Sequence, residues 1–335
     1  MLKIGKIEIR DFPLLLAPME DLTDPAFRHV CKLYGADLLY TEFISSDGLI
    51  RNGRKSVKKL EIRDQERPIG IQLYGHNIDS MTEAVRIVEK ANPDLIDINF
   101  GCPVKKISRR GAGAGMMKNV PLMIRMTEEI VKATNLPVTV KTRLGWDESS
   151  KNIMDVALRL QDAGIKAIAI HGRTGVQLYK GKADWTLIGE VKKNLLIKIP
   201  VIGNGDVDSP EKAKDMFDRY GVDGIMIARA AIGKPWIFRN IKHYLLTGIK
   251  MKGPGISERV DLAKLHLAKS IEHKGEIRGI YEMRRHFSSY FKGLPDFKET
   301  RLKLVTSESV EEIHILLDLI LKRYNGFEIG SKSDA

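Results

Sequence analysis

Eight short apolar runs recur along the first 230 residues, and segments with helical periodicity separate them. The runs span residues 14–19, 36–43, 68–75, 95–102, 137–145, 167–174, 199–206 and 224–230. The intervening segments carry apolar residues at the spacing of a helix face, for example in 80–91, 121–134, 152–163, 185–193 and 209–220. Strands that alternate with helices pair in parallel, and eight such units close on themselves. The sequence therefore predicts an α/β fold, a (β/α)8 TIM barrel.

A second unit is expected after the barrel. Residues 247–256 are rich in glycine and lysine, which indicates a linker. Residues 257–325 then carry helical periodicity in four segments, which predicts an all-α helical bundle, and Ser309 followed by Glu312 predicts a capping box. We therefore expect a barrel domain over 1–246, a helical domain over 257–325 and a disordered tail over 326–335.

The cysteine count and the apolar runs limit where the protein works. The chain of 335 residues has two cysteines, Cys31 and Cys102, which suit neither a disulfide framework nor a cysteine metal site. No apolar run reaches the length of a membrane span, and the first residues do not resemble a signal peptide. We expect a cytoplasmic monomer that contacts neither a membrane nor a metal.

Positive charge is concentrated in two clusters without acids. The net charge is +12, and an excess of this size favours a polyanionic partner. One cluster comprises Lys105, Lys106, Arg109, Arg110, Lys118 and Arg125, and the other comprises Arg51, Arg54, Lys55, Lys58 and Lys59. A charge run is usually a solvated face. Because the first cluster directly follows a candidate catalytic turn, we expect a phosphate backbone near the site.

That turn ends the run Leu-Ile-Asp-Ile-Asn-Phe-Gly-Cys-Pro, residues 95–103. Gly101 and Pro103 break the strand, so Cys102 lies on the turn that leaves it, three residues after Asn99. One interpretation is a small buried cysteine. We prefer a functional one, because reacting groups sit at this end of parallel strands. Cys31, in a helical pattern that ends at Gly35, is interpreted as a core residue.

Chemically distinctive side chains occur at the ends of all eight predicted strands: Met19, Glu42, Gln72, Asn99, Lys141 with Arg143, His171, Asn204 to Asp206, and Arg229. Lys141 alone could pair with an internal acid such as Asp97, and His171 alone could be structural. Eight strand ends in register favour a ligand site instead. Gly203, Gly205 and Gly224 are predicted to let the backbone approach a phosphate. Segment 111–115 is glycine-rich, and we interpret it as a flexible loop or a helix lead-in rather than a cofactor motif.

Together these motifs resemble those of tRNA-dihydrouridine synthases, and the bacterial B-type branch resembles them most. They are Ala17-Pro-Met19, Gln72, Asp97 to Pro103, Lys141-Thr-Arg143, His171-Gly-Arg-Thr with Gln177, Tyr179, Gly181 and Ala183-Asp-Trp185, Asn204-Gly-Asp206, Ala228-Arg229 and Lys234 to Phe238. The resemblance runs from about Ile7 to beyond Arg301. One departure is Glu20-Asp21, where many members of the family have Ala-Gly.

The resemblance implies FMN in the barrel mouth, NADPH or NADH as hydride donor, and reduction of a tRNA uridine to 5,6-dihydrouridine. It places FMN against Ala17, Pro18, Met19, Gln72, Lys141, His171, Asn204, Gly205, Asp206, Ala228 and Arg229. Cys102 becomes the proton donor to C5, with Lys141 and His171 as further catalytic residues. Asn99 and Arg143 would bind the uracil. The helical domain would bind the tRNA body through basic side chains such as Lys274, Arg278, Arg284, Arg285, Lys292, Arg301 and Lys303.

Two other functions stay open on the sequence. A flavin barrel acting on a free small molecule, similar to dihydroorotate dehydrogenase, would need neither the second domain nor the basic clusters. A tRNA-binding protein that has lost turnover would not need Cys102, Lys141 and His171 together.

Overall fold

The computed structural model of the protein describes residues 1–327, and the strands and helices below are those within this range. The strands are β1 (Leu2–Ile4), β2 (Ile7–Ile9), β3 (Leu14–Leu16), β4 (Leu39–Tyr40), β5 (Ile44–Ser45), β6 (Ile69–Tyr74), β7 (Leu95–Asn99), β8 (Val138–Arg143), β9 (Ala167–His171), β10 (Val201–Asn204) and β11 (Gly224–Ile227). The helices of the barrel are α1 (Pro25–Leu33), α2 (Ser46–Ile50), α3 (Arg54–Lys58), α4 (Ile78–Lys90), α5 (Lys105–Ser108), α6 (Val120–Lys132), α7 (Ile153–Asp162), α8 (Thr186–Lys193), α9 (Pro210–Tyr220) and α10 (Ile237–Thr247). Four more helices follow: α11 (Ile256–Lys274), α12 (Glu276–Tyr290), α13 (Lys298–Thr306) and α14 (Val310–Tyr324).

Eight parallel strands form the barrel. Their order is β3-β11-β10-β9-β8-β7-β6-β4, and the short strand β5 pairs with the far end of β6. A parallel bridge between Leu15 and Leu38 joins the first strand to the last and closes the ring. The predicted TIM barrel with a C-terminal helical bundle is confirmed. None of the helices described is long and apolar enough to cross a bilayer.

The barrel and its helices follow from simple residue patterns. In α4, the buried residues Met81, Ala84, Val85 and Val88 recur at three- and four-residue spacing, so one face packs on the sheet. The Asn77 side chain accepts a hydrogen bond from the backbone N–H of Ser80 and starts this helix. Because the eight barrel strands run parallel, their polar C-terminal ends lie around one opening.

An N-terminal hairpin is a feature that the strand pattern did not predict. Strands β1 and β2 pair antiparallel around the turn that contains Gly5. Leu2 and Ile4 are fully buried and pack with interior residues of the barrel, including Leu15 and Leu95. The hairpin therefore closes the barrel at the end opposite to the strand ends that carry the polar residues.

The C-terminal helices pack directly on the barrel. Helix α11 lies against α1, where Phe27 contacts His266 and His286 from α11 and α12. The Lys274 ammonium lies 2.6 Å from the Asp24 carboxylate that starts α1. Lys274, predicted to hold tRNA, is thus largely buried in an ion pair between the bundle and the barrel.

Helix α14 begins as predicted, with one correction. The Ser309 hydroxyl accepts a hydrogen bond from the Glu312 N–H, 3.2 Å apart. The Glu312 carboxylate, however, accepts from the Ser307 hydroxyl, which in turn accepts the Ser309 N–H. The predicted capping box is therefore only half formed. Of the tail predicted to be disordered, 328–335 lie outside the described residues.

Candidate active site

A cavity of about 870 Å³ opens at the C-terminal ends of the barrel strands. We call it the mouth cavity. It collects thirteen of the residues predicted from the sequence to form the site: Ala17, Pro18, Met19, Asn99, Cys102, Lys141, Arg143, His171, Asn204, Gly205, Asp206, Ala228 and Arg229. The closed barrel brings these distant residues together because all parallel strands end on the same side.

Cys102 is held at the cavity by a chain of hydrogen bonds from the barrel interior. The Asn99 side-chain oxygen accepts the N–H groups of Gly101, at 3.0 Å, and Cys102, at 2.8 Å. The Asn99 amide donates to the Gln72 oxygen at 2.7 Å, and the Gln72 amide donates to Asp97 at 2.5 Å. Gln72 is fully buried, so it lies one layer below the cavity lining. This chain fixes the turn that carries the thiol.

Cys102 is 8% exposed. Burial raises the pKa of the thiol above its usual value, and this effect outweighs the nearby positive charge of Arg143. The thiol therefore stays protonated at neutral pH. A protonated thiol beside an open cavity can donate a proton, whereas a nucleophilic role would need a thiolate.

The glycine-rich segment packs behind Cys102. A 3-10 helix over Gly113–Lys118 leads into α6, which agrees with the second of its two interpretations. The Ala114 N–H donates to the Cys102 carbonyl at 2.9 Å, and a Cβ at Gly113 would come within 2.7 Å of the same oxygen. The glycines here permit close packing under the turn.

Lys141 faces the cavity from strand β8. Its ammonium donates to the Asn204 side-chain oxygen at 3.0 Å, and Asn204 is itself fixed by a bond from its amide to the Met226 carbonyl. Asp97 instead accepts hydrogen bonds from Gln72 and from the Thr139 hydroxyl, so Lys141 is not its hydrogen-bond partner. Burial, and then the charge of Arg143, lower the pKa of Lys141 to about 8.

Arg143 joins two loops and keeps part of its guanidinium free. Its Nε donates to the Gly101 carbonyl at 2.7 Å, and its Nη1 donates to the carbonyls of Thr174 and Leu178. These bonds tie the turn that contains Cys102 to the loop after β9. The two N–H groups of Nη2 make no hydrogen bond with the described residues, and they are available to a ligand in the cavity.

His171 is neutral in this setting. Burial lowers the pKa of its imidazole well below the usual value, and the charges of Lys141 and Arg143 add to the effect. Its Nε2 lies 3.2 Å from Nη1 of Arg173. Since a guanidinium only donates, Nε2 accepts and the proton is on Nδ1. His171 can therefore donate one hydrogen bond without carrying charge.

Asp206 organises two arginines. Both carboxylate oxygens accept hydrogen bonds from Arg173, at 2.9 and 2.6 Å, and one accepts from Arg229 at 3.2 Å. Burial opposes ionisation of Asp206, but Arg173, the Ala183 N–H and the charge of Arg229 together outweigh it, and the pKa of the carboxyl is lowered. Asp206 thereby orients Arg229, whose side chain is 56% exposed at the cavity rim.

Of the three glycines predicted to approach a phosphate, one lies on the cavity. Gly205 lines it with φ +128°, a conformation that favours glycine. A Cβ at Gly203 would come within 1.9 Å of the Trp185 ring, and one at Gly224 would contact Pro13 and Leu15. Gly203 and Gly224 therefore serve packing, and the prediction for these two is wrong.

A second, smaller cavity of about 440 Å³ adjoins the first. We call it the side cavity. Glu20 and Phe43 line both cavities, so they form the boundary between them. The two basic clusters meet here, because Lys106 comes from one and Lys55, Lys58 and Lys59 come from the other. Arg28 of α1 and Lys274 and Arg278 of the helical bundle also line this cavity.

Sequence reasoning missed several residues of the site. Arg173 fixes Asp206 and His171, although only its motif was noticed. The Tyr179 ring lines the mouth cavity, with the guanidiniums of Arg143 and Arg229 at 5.6 and 5.2 Å from its centroid. The motif around Tyr179 was a signal for it, whereas Phe43 had none. The position of Phe43 between the two cavities depends on contacts between residues that are distant in sequence.

The chain is similar to a known family over almost its whole length. The family model described as "Dihydrouridine synthase (Dus)" matches residues 15–325. A probable tRNA-dihydrouridine synthase of Rickettsia conorii is 40% identical over 302 residues, which cover 90% of this chain and 90% of that protein. The tRNA-dihydrouridine synthase B of Pseudomonas putida is 38% identical over 310 residues, 92% of this chain and 91% of that protein. That of Shewanella oneidensis is 38% identical over 289 residues, with 86% and 89% covered.

Solved structures with low sequence identity share the barrel. A 2-naphthoyl-CoA reductase superimposes with a TM-score of 0.59 at 11% identity, over 72% of this chain and 51% of that chain. Histamine dehydrogenase from Rhizobium sp. 4-9 superimposes with a TM-score of 0.52 at 12% identity, over 78% and 50%. At these identities the likeness concerns the fold alone.

Proposed function

The chain belongs to the dihydrouridine synthase family, and from this premise we propose that it reduces the C5=C6 bond of a tRNA uridine, with FMN as its bound flavin and NADPH or NADH as hydride donor. The resemblance to this family, and to its B-type branch, is confirmed. The family makes the chain an oxidoreductase that acts on CH–CH groups.

The observation that carries the proposal is the set of side chains that line the mouth cavity together with Cys102. A protonated thiol, an ammonium and a guanidinium with free N–H groups line one cavity. Reduction of an enone-like uracil needs a proton at C5 and stabilisation of charge that develops on the carbonyl oxygen. Cys102 supplies the proton in our proposal, and Lys141 and Arg143 stabilise the charge.

The chain's residues fit a flavin phosphate and ring system. Arg229, oriented by Asp206, offers a half-exposed guanidinium to a phosphate, and Gly205 leaves the backbone open beside it. Lys141 and neutral His171 would face the ring, with Ala17 to Met19 and Ala228 as the apolar side of the cavity. Bound FMN would supply hydride transfer. Gln72 would act on the flavin only from the layer below the lining, through Asn99.

The uracil would be held by donors that the structure leaves free. The two N–H groups on Nη2 of Arg143 match a carbonyl oxygen. Asn99 uses one amide hydrogen for Gln72, which leaves the second for the base. Both residues are fixed by other bonds before any ligand arrives, so little ordering is needed when the base binds.

A uridine must leave its stack to enter this cavity. We propose that the basic clusters and the helical domain over 257–325 hold the tRNA around it. Arg278 and Lys106 line the side cavity, while Arg285 donates to the Asp21 carbonyl in the loop after β3. A tRNA substrate and two free cysteines support a cytoplasmic location.

The test is NADPH or NADH oxidation by the purified full chain that depends on unmodified tRNA, with mapping of the dihydrouridine formed. Oxidation with free uridine or dihydroorotate-like compounds but not with tRNA would favour the small-molecule reductase. Tight tRNA binding without any turnover, by a protein that holds flavin, would favour a binding protein.

A further inference from the structure

An ion pair lies at the boundary between the mouth cavity and the side cavity. Lys59 from the segment after α3 contacts the Glu20 carboxylate, and its ammonium also lies 3.7 Å from Glu42. Glu20 follows Met19 in the loop after β3 and lines both cavities. This is the position where the chain departs from the family pattern of Ala-Gly.

The two carboxylates differ in how firmly they are held. Glu42 is 11% exposed, and it accepts the Asp21 N–H at 2.7 Å. Glu20 is 42% exposed and has Lys59 as its only ion-pair partner among the described residues. Glu42 is therefore the fixed carboxylate near Lys59, whereas Glu20, which makes the direct hydrogen bond to Lys59, is exposed enough to turn to solvent.

The charge at the boundary between the two cavities opposes an incoming anion. With both carboxylates ionised, Glu20 and Glu42 outnumber the single charge of Lys59. Around them the side cavity is basic, and Lys55 and Lys106 make no ion pair or hydrogen bond with the described residues. A strand of phosphates would thus be attracted to the cavity and opposed at its inner end.

We propose that the Glu20 carboxylate competes with an RNA phosphate for Lys59, and that this competition sets how tightly the enzyme holds the strand that flanks the target uridine. The inference rests on the proposed function, since it takes tRNA as the ligand. The phosphate replaces Glu20 at the Lys59 ammonium, Glu20 turns to solvent, and Glu42 stays as the second carboxylate near Lys59. Glu20 is a repulsive element that weakens the binding of any anion at Lys59.

The test is a double-mutant cycle read by binding of an unmodified tRNA transcript to the full chain. E20Q should lower the Kd about three- to five-fold near 0.1 M salt, the size expected when a partly exposed ion pair no longer competes. It should also steepen the dependence of log Kd on log salt, by up to about one unit. In the wild-type protein, the Glu20 carboxylate released from Lys59 takes up a salt cation on binding, which offsets part of the counterion release from the RNA; the glutamine does not.

Two backgrounds identify the partner of Glu20. In K59M the E20Q substitution should give a clearly smaller gain, because the cation for which Glu20 competes is gone and only the repulsion between Glu20 and the phosphates is relieved. In K55M the gain should persist, because Lys55 lines the same cavity and has no ion pair. The control D218N removes an exposed carboxylate that pairs with Lys214 on α9, and it should change the Kd by less than two-fold. Melting temperatures establish that each variant is folded.

An E20Q protein that binds no tighter than D218N would overturn the proposal, and so would an equal gain in the K59M background. These outcomes are separate from the proposed function. If the wild-type chain binds tRNA but forms no dihydrouridine, the proposed activity fails, while the binding cycle still decides the role of Glu20.

Discussion

The mouth cavity and the contact between α1 and the helical bundle both bury ionisable side chains, but they do so differently. In the mouth, Lys141, His171 and Arg143 face an open space of about 870 Å³. At the contact, His266 and His286 lie among aromatic rings, with 4.5 Å between their centroids, and they line neither the mouth cavity nor the side cavity.

The difference shows that burial and a shifted pKa do not by themselves mark a site. Burial lowers the pKa of His266 to about 4 and that of His286 well below its usual value, as it does for His171. What separates the regions is access. Arg143 keeps free donors toward a cavity, whereas His266 is bonded to the Tyr290 hydroxyl at 2.8 Å. Substitutions should therefore change chemistry in the mouth and stability at the contact.

The largest effect is expected at Cys102. Cys102→Ala should lower the rate of dihydrouridine formation by about 10²- to 10⁴-fold, the usual contribution of a general acid, while flavin stays bound. The rate with saturating unmodified tRNA measures it. Cys31→Ala is the matched control: it removes a fully buried cysteine far from the cavity and should leave the rate within two-fold. Equal rates for the wild-type and Cys102→Ala proteins would remove the proton donor from our account.

Arg229 should act on cofactor retention. Arg229→Ala removes a charge-assisted contact from the proposed phosphate site, so the Kd for FMN should rise about 10- to 100-fold. Flavin absorbance of the purified protein and titration of the apoprotein measure the change. If this variant purifies with stoichiometric flavin, the FMN phosphate binds at another part of the cavity and not at Arg229.

Lys141 should set the alkaline limit of activity. The protonated ammonium is the useful form, so the rate should fall as the pH rises through its pKa, which is about 8 in the unliganded chain. Lys141→Arg keeps a positive charge to higher pH, and the fall should move upward by at least about one pH unit. An unchanged alkaline limb in this variant would assign the titration to another group.

At the contact with the bundle, the expected effect is on stability. His286 is neutral in the fold and gains a proton more readily when unfolded, so stability is complete above pH 6.5 and is lost as the pH falls below it. Below pH 6.5, His286→Phe should reduce the loss in the free energy of unfolding by about 1.4 kcal/mol for each pH unit. At pH 7 the substitution should change the free energy of unfolding by about 1 kcal/mol or less.

Urea unfolding at pH 7 and pH 5 measures the two effects of this substitution. Tyr290, His266, Phe27 and the Asp24–Lys274 pair surround the ring and are unchanged in the variant. A variant with the wild-type pH dependence would show that the other buried histidines, His266 and His171, carry it. A loss of dihydrouridine formation would break the contrast between the two regions.

Much of this molecule could be predicted from local patterns. Strand and helix periodicities predicted the barrel, and the polar residues at the strand ends predicted most of the lining of the mouth cavity. The hairpin of β1 and β2 was not predicted, because its strands have three residues each, which is too short for an alternating apolar pattern to be recognised.

Partnerships within the site were harder to predict. Lys141 bonds Asn204, 63 residues away, and Arg173 bonds Asp206, 33 residues away. Such pairs depend on strand order and side-chain direction, which a single sequence does not specify. Asp97 was considered as a partner of Lys141 on charge alone, whereas the fold gives it Gln72 and Thr139.

The central claim is that the mouth cavity reduces a tRNA uridine with Cys102 as the acid. Its most direct test is a single turnover: the flavin of the full chain is reduced without oxygen, unmodified tRNA is added, and flavin oxidation and dihydrouridine are followed together. We predict that both signals rise at one rate in the wild-type protein, and that Cys102→Ala, reduced equally well by the nicotinamide, slows both by about 10²-fold or more. Rapid flavin oxidation without dihydrouridine, or wild-type rates in Cys102→Ala, would contradict the claim.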